Sequence, residues 1–178
     1  MSGWRPGDKR ADKASMIRVD QAGEYGATRI YAGQLAVLRP NCPEAKLIAR
    51  MAAQEQRHLS RFDQLVAERR VRPTLLQPIW NVAGFALGAA TALMSEKAAL
   101  ACTDAIETEI DRHYSRQLDE LAKDDPELSA DIAEFRAEEL EHRDIAREAG
   151  ARSAPGYPLL TATIRAGCKI AIELSKRL

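Results

Sequence analysis

Two Glu-x-x-His motifs constrain this chain more than any other feature. One lies in "AQEQRHLS" as Glu55 and His58, the other in "AEELEHRD" as Glu139 and His142. Together they use two of the 3 histidines. Residues three apart share a helix face, so each pair can aim both side chains in one direction. Both pairs also interrupt apolar stripes, with Ile48, Met51, Phe62 and Leu65 around the first and Leu128, Ile132, Phe135 and Ile145 around the second. An unpaired buried carboxylate is very costly. The chain must therefore fold so that these two faces meet each other, or meet something that satisfies both.

Apolar residues recur every three or four positions over four long segments, which predicts four long helices. The first runs from about Ser15, read as its N-cap, to Leu38. The prolines of "RPNCP" end it, because proline cannot continue a helix. The second runs from about Glu44 to Arg70, and the third from Ser95 to Leu121, where "KDDPE" breaks it. The fourth runs from Pro126 to Ala149, with Gly150 as its stop. A short amphipathic helix over about 158–178 sets Leu160, Ile164 and Ile172 against Arg165, Lys169 and Lys176. The fold class that follows is all-α: one ferritin-like domain over 1–178. Its core is a four-helix bundle over about 15–150, made of two antiparallel hairpins joined by an apolar crossover at 73–95.

The other two helices each place one acid in an apolar face. The first carries Ile17, Glu24, Tyr31 and Leu38, the third Leu100, Thr103, Glu107, Ile110, Tyr114 and Leu118. In an antiparallel hairpin, residues equidistant from the turn face each other. Glu24 and Glu55 are centred on "RPNCP", and Glu107 and Glu139 on "KDDPE". Each lone glutamate is thus expected level with the Glu-x-x-His pair of its own hairpin. Glu24, Glu55, His58, Glu107, Glu139 and His142 then make the ligand set of di-iron and di-manganese carboxylate bundles. Carboxylates and imidazoles without a thiolate favour iron or manganese over an iron–sulfur centre. Glu109, Glu134, Glu138 and Glu141 fall off the stripes and are read as solvated or as partners of the ligands. His113 and Tyr114 follow Glu107, with Tyr114 facing the core. The pair is read either as packing or as a route for electrons or protons to the metals.

Several classes are disfavoured. The chain has 26 Lys plus Arg and 26 Asp plus Glu, so no basic surface points to nucleic acid. Cys42, Cys102 and Cys168 form no Cys-x-x-Cys pair and no disulfide framework, and Cys42 reads as a loop thiol. The opening "MSGWRPGDKRADKAS" has no apolar signal core and reads as bacterial, or as a chain without its organelle presequence. Residues 73–95 carry no charge and are long enough by count to span a bilayer. Spanning would put the two hairpins on opposite sides and split the metal site. The segment reads as a buried crossover or, preferably, as an apolar surface with Trp80 and Phe85 in the membrane interface. Such a surface beside a metal site suggests a lipid-soluble substrate.

"IRVDQAGEYGATRIYAGQ", "WNVAGFALGAATALM", "ACTDAIETEIDRHY", "FRAEELEHRD" and "IRAGCKIAIELSKRL" resemble the demethoxyubiquinone hydroxylases of ubiquinone biosynthesis, in the same order from Ile17 to Leu178. All six metal-ligand positions of that family are filled, by Glu24, Glu55, His58, Glu107, Glu139 and His142. The resemblance implies a monooxygenase with two iron ions that hydroxylates the ring of a polyprenylated demethoxy-quinone or quinol with O2, the penultimate step of the pathway. It implies NADH as electron source, with His113 and Tyr114 linked to the transfer, although no glycine-rich nucleotide motif is present. It also implies a peripheral membrane protein on the cytoplasmic face of the bacterial inner membrane, or on the matrix face in mitochondria. A homo-oligomer or a lipid-binding accessory protein is left open as partner. The competing reading is a ferroxidase or another ferritin-like di-metal protein.

Overall fold

The computed structural model describes residues 11–121 and 124–178. Among these, all regular structure is helical. The elements are α1 Lys13–Val37, α2 Pro43–Glu68, α3 Gln77–Met94, α4 Glu96–Leu121, α5 Pro126–Glu148 and α6 Tyr157–Arg177, with a 3₁₀ turn at Ala151–Ser153. The four long helices expected from periodicity are present within a few residues of their predicted ends. The turn at 122–123 and residues 1–10 lie outside the described residues.

The helix ends explain the small shifts. Asp12, not Ser15, caps α1, its carboxylate accepting the Ser15 backbone N–H at 3.0 Å. Cys42 is no idle loop thiol. Its sulfur accepts the Ala45 N–H at 3.4 Å, which makes it the N-cap of α2, with Pro43 in the first turn where its missing N–H costs nothing. Asp125 caps α5 in the same way through the Leu128 N–H at 3.2 Å. Gly150 turns the chain out of α5 at φ 98°, a conformation that favours glycine.

α1 pairs with α2 and α4 with α5, each across a short connection. The two hairpins then face each other. Gln34 on α1 donates to the Ala99 carbonyl on α4 at 3.0 Å, and Gln117 on α4 donates to Asp20 on α1 at 2.8 Å. These rungs run in opposite senses along the two helices, so α1 and α4 are antiparallel. Ion pairs from Arg57 to Glu138 and from Arg61 to Asp131 order α2 against α5 likewise. Two apolar clusters cap the ends of the bundle. One contains Leu38, Ile48, Met51 and Leu100, the other Ile17, Phe62, Leu121 and Ile132. The polar level lies between them.

The uncharged segment is a helix, and its two faces divide the two readings offered for it. One face packs on α1 at backbone contact: a methyl group added at Gly88 would sit 2.0 Å from the Ile30 carbonyl oxygen. The other face is open, with Ile79, Val82 and Leu93 exposed. α6 lies beside it, with Leu159, Ile170 and Leu174 also exposed. Trp80 joins the two helices by donating to Ser175 at 3.2 Å. No helix among the described residues is long and apolar enough to cross a membrane.

Candidate metal centre

The bundle brings all six sequence-predicted ligands to one level. Glu24 and Glu107 are 1% exposed, and Glu55, His58, Glu139 and His142 are fully buried, which rules out a solvated face. Their donor atoms form two overlapping groups. Glu24, Glu55, His58 and Glu139 make one, and Glu55, Glu107, Glu139 and His142 the other, each with its donor atoms within 4.8 Å of one another. Glu55 and Glu139 belong to both groups, as bridging carboxylates between two ions would.

Hydrogen bonding orients the cluster inward. His58 Nδ1 lies 3.1 Å from a Glu139 oxygen and 3.6 Å from Glu24, and His142 Nδ1 lies 3.1 Å from both Glu55 and Glu139. The outer nitrogens face acceptors. His58 Nε2 meets Glu138 at 2.6 Å, and His142 Nε2 meets the Gln54 carbonyl oxygen at 3.0 Å. Each Nε2 is engaged outward, which leaves each Nδ1 facing the carboxylates as the nitrogen a metal ion would take. Tyr31 on α1 donates to Glu107 on α4 at 2.8 Å, and Tyr114 on α4 donates to Glu24 on α1.

The donor set fits a pair of divalent cations. Glu24 Oε2, both Glu55 carboxylate oxygens and Glu107 Oε2 are buried without any hydrogen-bond donor. Buried polar atoms are normally paired, so four orphaned oxygens at one level fit coordination to positive ions. The electrostatics agree. Glu55 and Glu107 are pushed well above the ordinary 4.5, first by burial and next by the charge of Glu139. Burial also raises Glu139, against the hydrogen bond from His58. Burial likewise disfavours the charged form of His58, but hydrogen bonds to Glu139 and Glu24 outweigh it and lift the imidazole to about 11. Burial lowers His142. Two divalent ions would let all four acids ionise and would displace the proton from His58.

The two further predicted residues part company. Tyr114 reaches the cluster through Glu24. His113 turns away from it, and its Nε2 lies 2.9 Å from the buried Asp20 and 3.0 Å from Gln117. Sequence reading missed Asp20, Gln117 and Gln54, which are polar residues on otherwise ordinary helices. Glu109, expected to be solvated or to partner a ligand, does neither. Glu109 is 2% exposed, held by Arg165 at 2.6 Å and Arg112 at 3.0 Å, because α6 folds over it. Of the other acids expected to be solvated or to partner a ligand, Glu138 bonds to His58, whereas Glu134 is exposed and lies 3.8 Å from Arg57.

An apolar cavity of about 430 Å³ opens between α1, α3, α4 and α6. Gly23, Gly26, Ile30, Leu87, Ile110 and Ile164 line it. Gly23 adjoins Glu24 in sequence, and Ile110 follows Glu107 by one turn. A smaller recess of about 220 Å³ lies beside His113, lined by Ser15, Arg116, Gln117 and Lys176 among others.

A bundle of two helical hairpins that buries two glutamates and two Glu-x-x-His pairs at one level has the layout of the di-metal carboxylate bundles. The chain belongs to the ubiquinone biosynthesis protein COQ7 family, whose family model matches residues 11–175. A Rhodospirillum rubrum protein named 3-demethoxyubiquinol 3-hydroxylase is 59% identical over 161 residues, covering 90% of this chain and 76% of its own length. The human mitochondrial protein named NADPH-dependent 3-demethoxyubiquinone 3-hydroxylase is 50% identical over 173 residues, 95% of this chain and 79% of its own length. The mitochondrial 5-demethoxyubiquinone hydroxylase of Saccharomyces cerevisiae is 41% identical over 179 residues, 92% of this chain and 77% of its own length.

Proposed function

We propose that this chain is a di-iron monooxygenase that hydroxylates the ring of a polyprenylated demethoxyubiquinol with O2. The observation that carries this reading is the set of four orphaned carboxylate oxygens between two inward-aimed imidazoles. The names of the relatives supply the substrate class. Glu24, Glu55, His58, Glu107, Glu139 and His142 would hold two iron ions, with Glu55 and Glu139 shared. Iron, when bound, supplies activation of O2 and delivery of one oxygen atom to the ring.

The chain's own residues provide the setting. The apolar clusters above and below the polar level exclude water from the reacting atoms. The cavity beside the centre suits a prenyl tail, since its lining is mostly glycine and aliphatic side chains, with Trp80 and Glu109 among the exceptions. The exposed apolar face of α3 and α6, with Val82 at 70% and Leu159 at 76%, supports a peripheral seat in the membrane interface, from which a lipid-soluble quinol can enter. Tyr114 holds a proton at Glu24 and is placed to pass it toward the centre. Electrons come from a reduced nicotinamide nucleotide.

The test is Glu107→Ala in the full chain. Iron-dependent turnover of a short-chain demethoxyquinol is expected to be abolished while the helical circular dichroism signal is retained. Full activity in this variant contradicts the ligand assignment.

A further inference from the structure

The two halves of the centre carry matching sets of ligands. Each has one terminal glutamate, one histidine and the same two shared carboxylates. Each terminal glutamate accepts from a tyrosine of the opposite hairpin. One difference lies behind the histidines. His58 Nε2 meets the carboxylate of Glu138 at 2.6 Å, and Arg57 braces both oxygens of that carboxylate at 2.7 and 2.9 Å. His142 Nε2 meets the neutral amide oxygen of Gln54 at 3.0 Å. Glu138 hydrogen-bonds to only one of the two histidines.

A carboxylate accepts more strongly than an amide and draws the imidazole N–H further toward itself. Electron density on the inner nitrogen rises accordingly, and so does its strength as a ligand. We infer that the two metal positions are filled in order: the Glu24/His58 position binds first and more tightly, and Glu138 is the positioning residue that sets this order. Gln54 holds His142 in the same orientation without strengthening it. The inference rests on the assignment of the six ligands proposed above and adds to it a ranking that the ligands alone do not contain.

The experiment is anaerobic titration of the full chain with Co²⁺ as probe, followed by visible absorption and calorimetry. The wild-type chain is expected to take up two equivalents in steps separated by about ten- to a hundredfold in affinity. Glu138→Gln is expected to weaken the first step about tenfold, leave the second within about twofold, and so merge the two. Gln54→Glu is expected to strengthen the second step and also bring the two together. His58→Ala removes the tighter step, and His142→Ala the weaker. Because Glu138 is partly solvent-exposed, its variant retains the fold, which circular dichroism checks. Equal effects of Glu138→Gln on both steps, or no effect on either, overturn the proposed order while leaving the centre intact. A wild-type chain that takes up no Co²⁺ overturns both the order and the centre.

Discussion

Tyr31 on α1 donates its phenolic hydrogen to Glu107 on α4 at 2.8 Å, tying the terminal glutamate of one hairpin to the other hairpin. The reverse tie, Tyr114 on α4 to Glu24 on α1, completes a reciprocal cross-brace. Both tyrosines are 2% exposed, so neither bond competes with water. Removing the hydroxyl leaves a buried carboxylate with one donor fewer, which costs roughly 1–3 kcal/mol. Tyr31→Phe is therefore expected to lower the urea midpoint of the metal-free chain with an unchanged m-value. An unchanged midpoint contradicts the brace.

Tyr114→Phe is expected to do more. It removes the same kind of brace and also the proton at Glu24. Turnover is expected to fall by about a hundredfold or more, while iron content stays at the wild-type level. Iron content separates this outcome from simple loss of the centre. Turnover within a few-fold of wild type assigns Tyr114 to packing alone.

The crossover helix fixes α1 by a backbone-to-backbone contact. A methyl group at Gly88 meets the Ile30 carbonyl oxygen at 2.0 Å and the Gln34 nitrogen at 3.0 Å, neither of which is a movable side-chain tip. Gly88→Ala is expected to destabilise by about 1–3 kcal/mol or more, because the two helices must move apart. The propensity gain of alanine in a helix, about 1 kcal/mol, is too small to reverse the sign. Thermal unfolding checks it, and a raised midpoint contradicts the packing.

Asp125 couples stability to pH at a site remote from the metals. Its ion pair with Arg69 holds the carboxyl below the ordinary 3.8, against the opposing effect of burial, with the Leu128 N–H adding to the depression. The unfolded chain binds that proton more readily. The contribution is therefore fully present above about pH 4 and is lost as pH falls through the folded value. Asp125→Asn keeps a good N-cap but loses the ion pair, and is expected to cost about 1 kcal/mol at pH 7 and nothing in strong acid. Asp125→Ala is expected to cost more, since the cap is lost as well. A cost for Asp125→Asn that stays constant with pH contradicts the pairing.

The open face of α3 and α6 makes a separate prediction. Val82→Glu combined with Leu159→Glu is expected to reduce association with liposomes at least tenfold, because each burial of an aliphatic side chain in the interface contributes about 1.5–3 kcal/mol. Stability and iron content are expected to remain within error, as both side chains project from the fold. Undiminished liposome binding contradicts the membrane seat.

Most of the centre was legible in the sequence because its signal is double. Acids and histidines at helical spacing inside apolar stripes state both an identity and a direction, and the two hairpin turns fix their level. The cross-brace was half visible. Glu24 to Tyr31 and Glu107 to Tyr114 repeat the same two-turn spacing, but spacing along one helix cannot show that each tyrosine serves the other hairpin. Glu109 and Asp20 were not legible as buried acids. Their burial depends on how α6 lies against α4 and how α1 meets α4, and neither packing leaves a periodic mark. The roles of Ser15 and Cys42 differ from their sequence reading for a local reason: several residues near a helix start can cap it, and the choice is settled by backbone geometry.

The central claim is oxygen transfer at this centre, and mass spectrometry of the product measures it directly. A short-chain demethoxyquinol is incubated with iron-loaded protein, a reduced nicotinamide nucleotide and ¹⁸O₂. The expected result is a product carrying one labelled oxygen on the ring. Two irons bound and oxidised by O2, with the quinol recovered unlabelled and unchanged, contradicts the account and returns the bundle to ferroxidase chemistry.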